Sequence, residues 1–427
     1  MKPLISLDAV RCVASAALMA AFAGVAGADV VTDWNVKAGE LIAEAKLGTP
    51  PAVRVMALVQ TAVYDSVNTI TQRYPAPRAP GDAARGVSGG AARGASIDAT
   101  HGASIDAAVA AAHRVTLARL MPAQQASVDA AYRAALALVP DGRPKTAGVA
   151  VGEQAAAALL AARANDSAGA EAYRPHTTPG VYVPTAMPAV PQWPQRTPWL
   201  MKGAAQFRPA PPPALSSELW ARDYNEVKAL GSKVSARRSA EQTEIARFWE
   251  YSLPAIYHGV VRSVANAAGR DVTRNARLLA AVAQGMDDAM ISVFDAKYHY
   301  NFWRPSTAIR NGDIDANDAT ERDASWTPFI DVPMHPEYPS AHSILAATVA
   351  TVLEADAGAG ALPVLTTASP TAGGAQRRWT NVDAFIQEVG NARIYDGVHY
   401  RFSTDAGAAM GRQIGALVVA RHLDLPQ

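Results

Sequence analysis

Asp295-Ala296-Lys297-Tyr298-His299-Tyr300-Asn301-Phe302-Trp303-Arg304-Pro305 sets two cations seven residues apart in an aromatic-rich stretch. Seven residues are two helical turns, so the spacing predicts Lys297 and Arg304 on one face of a helix that Pro305 ends soon after. Lys and Arg at such spacing commonly form a basic surface stripe. Here Phe294, Tyr298, Tyr300, Phe302 and Trp303 flank the pair, which argues for a buried helix. A buried cation needs an anion.

Outward from this stretch the pattern is helical throughout. Thr49-Pro50-Pro51 opens a helix in which Met56, Val59, Val63, Val67 and Ile70 follow at helical spacing. Further helical patterns cover about 104–119, 122–138, 144–164, 216–231, 238–251, 254–269, 273–301, 340–356 and 403–423. No period-2 pattern of any length suggests a strand. The fold class expected is all-α, built of helical bundles. Gly148 to Asp166 and Gly407 to Asp424 share small residues followed by a Leu/Val-rich turn and an Arg, so two similar halves and a chance likeness of Ala-rich helices both stay open. Residues 71–101 are rich in Gly, Ala, Pro and Arg, and Gly94–Ala99 recurs as Gly102–Ala107, read as a local duplication in a surface loop. Eleven of the 29 prolines fall between Pro175 and Pro213 with Trp193, Trp199 and Phe207, so that stretch cannot be helical. The expected organisation is a signal over 1–28, a helical bundle over 29–174, a Pro-rich connector over 175–214 and a second bundle over 215–427.

Composition narrows the function classes. Thirty-nine Lys and Arg against thirty-eight Asp and Glu leave a formal charge of +1, which offers no field for nucleic acid or an anionic membrane. Lys2 and Arg11, an apolar run from Cys12 to Val25 and Ala26-Gly27-Ala28 have the order of a secretory signal. About fourteen apolar residues fall short of the ~20 that span a bilayer, so a mature periplasmic or secreted chain without a transmembrane segment is expected. Cys12 is the only cysteine, so a chain starting near Asp29 would have no disulfide or thiolate metal site.

Two more clusters carry chemistry. In His335-Pro336-Glu337-Tyr338-Pro339-Ser340-Ala341-His342, Ser340 is placed to cap a helix, leaving the N–H groups of Ala341 and His342 at its positive end. A plain helix cap would read the same way in this segment alone. In Arg393-Ile394-Tyr395-Asp396-Gly397-Val398-His399-Tyr400-Arg401-Phe402-Ser403-Thr404-Asp405, Gly397 suggests a tight backbone position and His399 precedes a helix that Ser403 or Thr404 would cap.

Taken together, Lys297 to Arg304-Pro305, Pro339 to His342, and Arg393 to Gly397-Val398-His399 resemble the signature of the vanadium-dependent haloperoxidases and type 2 phosphatidic-acid phosphatases, in order and spacing. The resemblance spans about 110 residues. It implies a vanadate cofactor, or phosphate in the same site, with Lys297, Arg304, Ser340, the Ala341 N–H and Arg393 holding the oxygens. His399 would be the metal ligand, His342 the proton carrier, and Lys297 a catalytic cation acting on peroxide. The partners implied are hydrogen peroxide, a halide and a small organic substrate. With phosphate, His399 would attack phosphorus instead and the enzyme would be an acid phosphatase. An exported oxyanion-binding protein without turnover is the reading from another class. Ala341 stands where the family has Gly, Ala392 where Ser is common, and Ser403 where the phosphatases carry an Asp, which leaves the partner that orients His399 open. His335 lies where bromide-oxidising members carry a histidine, and with Phe294 it is the candidate for tuning halide choice. Export predicts that intact-mass measurement of protein secreted by a bacterial host gives a chain starting near Asp29; a retained Met1 on exported material would contradict it.

Overall fold

The computed structural model describes residues 28–75, 102–166 and 173–423. The expected signal with Cys12, the first copy of the repeated hexapeptide and Asp424 lie outside the described residues.

The helices are α1 (Val30–Glu44), α2 (Thr49–Thr71), α3 (Ile105–Leu120), α4 (Gln125–Ala137), α5 (Arg143–Ala162), α6 (Glu218–Leu230), α7 (Ala240–Trp249), α8 (Pro254–Ala265), α9 (Val272–Tyr300), α10 (Pro305–Arg310), α11 (Ala341–Ala357), α12 (Val382–Tyr395) and α13 (Arg401–Val418). The all-α expectation holds, with one small exception. Leu365–Ala368 (β1) pairs antiparallel with Gln376–Trp379 (β2), and Gly373 and Gly374, both at positive φ, turn the chain between them. Four-residue strands are too short to show alternation in sequence. Three helices were also missed: α10, which has only six residues, and two whose spacing is legible, since Val31, Trp34, Ala38, Leu41 and Ile42 bury one face of α1, and Val382, Phe385, Ile386 and Val389 one face of α12. Among the described residues no helix is long and apolar enough to cross a membrane.

Helix α9 is the axis of the molecule. Every residue from Leu278 to Phe294 is buried, so it has no solvent face. One apolar cluster runs from Val31 to Val418, and α2, α11 and α13 all pack on α9. Polar groups on this buried helix are matched across it: Asp287 meets Arg54 of α2 at 2.5 Å and the indole N–H of Trp199 at 2.7 Å. Asp288 accepts the backbone N–H groups of Trp199, Leu200 and Met201 at 2.7, 2.9 and 3.1 Å. The Pro-rich stretch is thus pinned to α9 by two adjacent carboxylates. As expected it contains no α-helix, only 3₁₀ turns at Trp193–Gln195 and Ala204–Phe207.

The two glycine-bearing segments play matching parts. Gly148 and Gly152 of α5 lie so close to α3 that a Cβ would strike the carbonyls of Ser104 and Ala108; Gly407 and Gly411 of α13 lie the same way on the carbonyls of Ser340 and Ile344 of α11. Ser104 and Ser340 are both N-caps, and the contacts recur at the same offsets from them. α2 packs on α3 and α5 as α9 packs on α11 and α13. The resemblance between the segments is therefore repeated in three dimensions, and the two halves are alike in their helix packing.

Asp288→Ala leaves three buried N–H groups without an acceptor and should lower unfolding stability by about 3–5 kcal/mol, because each such loss costs roughly 1–3 kcal/mol before relaxation. Denaturant titration measures the loss, and limited proteolysis should show new cutting between residues 185 and 210. An unchanged midpoint would refute the clamp.

Candidate active site

Lys297 stands in the last turn of α9, which ends where Asn301 adopts a left-handed conformation. The expectation that Lys297 and Arg304 share one helix is corrected: Arg304 is the N-cap of α10, and Pro305 starts that helix rather than ending α9. The two cations still converge, because the extended Phe302–Arg304 segment folds back beside α9. An aromatic block holds it there. Trp220 of α6 stacks on Trp303 at 5.8 Å and meets Tyr400 at 5.0 Å, and Tyr400 stacks on Phe402 at 5.2 Å. The same block fixes the segment that carries His399.

Ser340 caps α11 as expected, accepting the Ser343 N–H at 3.4 Å. Arg393 lies in the last turn of α12, and Gly397, at φ +78°, turns the chain against the backbone of Gly231, where a Cβ would collide. The tight position read from Gly397 is thus observed. The cap read for Ser403 or Thr404 is corrected: α13 begins at Arg401, both residues lie inside it, and the N–H of Phe402 is received at 2.7 Å by Asp223 of α6. A cap supplied by a distant helix leaves no local sequence signal.

Lys297, Arg304, Ser340, Arg393 and His399 are all at most 2 % exposed. Each cation is steadied by backbone carbonyls. Lys297 Nζ donates to Pro336 and Glu337 at 3.0 and 2.7 Å, and Arg304 to His335 and Val398 at 2.9 and 2.8 Å. Arg393 donates to the Trp249 carbonyl at 3.1 Å and to Asp396 at 2.5 Å, while its Nε has no partner. Burial, then the neighbouring Arg304 charge, holds Lys297 well below the ordinary lysine value, and burial brings Arg304 down to about 10.

His399 has a fixed orientation. Its Nδ1 lies 2.7 Å from Glu337 Oε1, and its Nε2 faces Arg304 Nη1 at 3.4 Å. Arginine can only donate, so Nδ1 carries the proton and Nε2 presents its lone pair. Glu337 is the orienting partner that sequence left open; it was missed because it acts from the motif of Ser340, 62 residues away. Asp405 does not take this part, being exposed on α13. His342 bonds the Trp249 carbonyl and leaves Nε2 without a partner. His335 accepts from Arg304 at 3.0 Å and meets the Phe294 ring edge-on at 5.1 Å, so Phe294 touches the cluster through His335. His335, Ala341 and His342 keep partial contact with solvent, which makes their side the approach to the cluster.

Burial is the largest cause of the shifts of the three histidines and of the two carboxylates beside them. All three imidazoles fall well below their ordinary value, first through desolvation and then through the surrounding cations. Glu337 and Asp396 are each pushed up to about 7 by burial, against the pull of Lys297 on the first and Arg393 on the second. Three cations against two weakened carboxylates leave the cluster short of negative charge. The unpartnered Arg393 Nε and His342 Nε2, the lone pair of His399 and the N–H groups opening α11 fit a tetrahedral oxyanion in type and number. Among the described residues no group of three or more His, Cys, Asp and Glu is placed to hold a bare metal ion.

Residues 277–427 match the family model described as the VCPO second helical-bundle domain. Among solved structures, a bacterial vanadium-dependent iodoperoxidase superposes with a TM-score of 0.73 at 23% identity, over 92% of this chain and 96% of that one. The apo and holo forms of a bacterial vanadium-dependent chloroperoxidase give 0.66 and 0.67 at 17% and 18% identity, over 87% and 88% of this chain and 93% of each of theirs. No curated protein matches the chain in sequence. The chain has the helical fold of the vanadium haloperoxidase superfamily.

Sulfate is tetrahedral and does not titrate near neutrality, so its affinity reports the site alone. Protonation of Glu337 and Asp396 below their values of about 7 removes negative charge from the cluster, and binding should tighten roughly tenfold from pH 8 to pH 6. Calorimetric titration at the two pH values checks the sign; weaker binding at pH 6 would contradict it.

Proposed function

From a chain with this superfamily's fold, we propose a vanadate-dependent haloperoxidase that oxidises halide with hydrogen peroxide. The observation that carries the reading is the convergence of Lys297, Arg304 and Arg393 on the face where His399 offers an unprotonated Nε2.

Lys297, Arg304, Arg393, the Ser340 hydroxyl and the Ala341 N–H would hold the oxygens, and His399 Nε2 would bind the metal. Bound vanadate would supply a Lewis acid that activates peroxide toward halide. The residues do the rest. Cations held by carbonyls need not move as charge develops, which is preorganised stabilisation. Glu337 keeps the proton of His399 on Nδ1, so Nε2 stays available for coordination. His342, neutral and with its buried Nε2 unpartnered, can take a proton there and return it. Lys297, with its ammonium value lowered by burial, polarises whatever oxygen lies against it. His335, backed by Phe294, stands at the approach, where it would meet an incoming halide.

The division of labour predicts distinct variants. His399→Ala should abolish halide oxidation. His342→Ala should lower turnover by about 10²–10⁴-fold with vanadate affinity largely kept, since its part is proton transfer. Lys297→Ala and Arg304→Lys should weaken vanadate binding roughly ten- to a hundredfold through lost charge-assisted hydrogen bonds. Steady-state peroxide and halide kinetics, equilibrium vanadate binding and a parallel phosphate-ester assay measure all of these. Near-normal activity in His399→Ala, or ester hydrolysis without halide oxidation in the parent, would overturn the reading.

A further inference from the structure

A polar cavity of about 570 Å³ lies between α11, α12 and α13 and belongs to none of the roles above. Its lining includes Ser343, Gly390, Asn391, Arg401, Thr404 and Asp405. The cations on its wall are engaged: Arg412 meets Asp383 at 2.8 Å, and Arg401 meets Glu226 at 2.6 Å and Asn391 at 2.5 Å. Such a wall offers hydrogen bonds with little unpaired positive charge, which suits water better than a halide or other anion.

Of the lining residues Ser343, in the first turn of α11, is fully buried. Its hydroxyl donates to the Ser340 hydroxyl at 3.1 Å. Ser340 also receives the Ser343 N–H, so its own proton is left to point toward the anion's position. Gly390 keeps the cavity open beside Ser343. A Cβ there would lie 3.8 Å from Ser343 Oγ and 3.5 Å from Thr404 Cβ, in space that is now free.

We propose that this cavity is a solvent-side proton inlet to the oxyanion site, ending on the hydrogen-bonded pair Ser343 and Ser340. The proposal rests on the reading that Ser340 holds the oxyanion. In one passage a cavity water gives a proton to Ser343, Ser343 gives its own to Ser340, and Ser340 gives its own to the anion's oxygen. Each serine ends with one proton, and bulk solvent restores the water. The route shares no residue with the approach past His335, Ala341 and His342, so it is a second proton path beside that of His342. Ser343 acts through Ser340 and is a positioning and relay residue, not one that touches the reacting atoms.

The test uses the full chain and the variants Ser343→Ala, Gly390→Ala and Ser340→Ala. Vanadate affinity by equilibrium dialysis, kcat in H₂O and D₂O, and thermal midpoints are measured on each. Ser343→Ala should lower kcat about tenfold and Gly390→Ala about threefold, each with a larger solvent isotope effect and vanadate affinity within about threefold of the parent. Gly390→Ala should keep or raise the thermal midpoint, since alanine favours the helix and meets only ordinary contacts. The relay is overturned if Ser343→Ala keeps kcat within about twofold, or if kcat and vanadate affinity fall together, because Ser343 then merely positions Ser340. Unchanged kinetics in Gly390→Ala overturn the cavity as the inlet. An inactive parent, or a Ser340→Ala variant that binds vanadate as tightly as the parent, overturns the function reading and the inlet with it.

Discussion

Three buried cations within reach of one another are the constraint to which the surrounding structure answers. Desolvating a single ammonium or guanidinium costs several kcal/mol even after relaxation, and mutual repulsion adds to it. The molecule meets this mainly with carbonyl oxygens. The carbonyls at 335, 336 and 337 come from the segment before α11, that of Val398 from the turn after α12, and that of Trp249 from the end of α7. Irregular backbone leaves such oxygens free of helix bonds, so the site collects chain termini and turns rather than helix middles. The aromatic block around Trp220 then keeps those turns from relaxing.

The carbonyls satisfy geometry but supply no net charge. Glu337 and Asp396 are the buried carboxylates nearest the cluster, and burial weakens both as anions. The positive excess is thus a built property of the folded chain, present before any ligand arrives. It adds to burial, the larger cause, in keeping the three histidines neutral: an imidazolium would add a further charge to a region already short of counterions. A neutral His399 can offer a lone pair, and a neutral His342 can take a proton.

Much of this was legible from spacing. The order Lys297, Arg304, Ser340, His342, Arg393 and His399 marked residues that the fold brings together, and the buried stripe beginning at Met56 marked α2. What was not legible depends on partners distant in sequence. The left-handed Asn301 that stops α9 gives a weaker signal than the proline after it, so Pro305 took the credit for the boundary. Glu337 orienting His399 and Asp223 capping α13 are both tertiary pairings. The segments bearing the glycines at 148, 152, 407 and 411 left a repeat and a chance likeness of Ala-rich helices equally open; only the contact of each with a helix opened by a serine cap distinguishes a repeated packing unit.

The share of the site held by main-chain oxygens bears on how such a protein can diverge. Val398, Pro336 and Trp249 contribute their carbonyls, which any residue would provide if the local backbone were kept. Drift at these positions would leave the anion chamber intact while erasing the sequence likeness around it. Lineages could then share the chamber and differ almost everywhere else, so kinship among them would be kept in the shape of the chain long after it had faded from its letters.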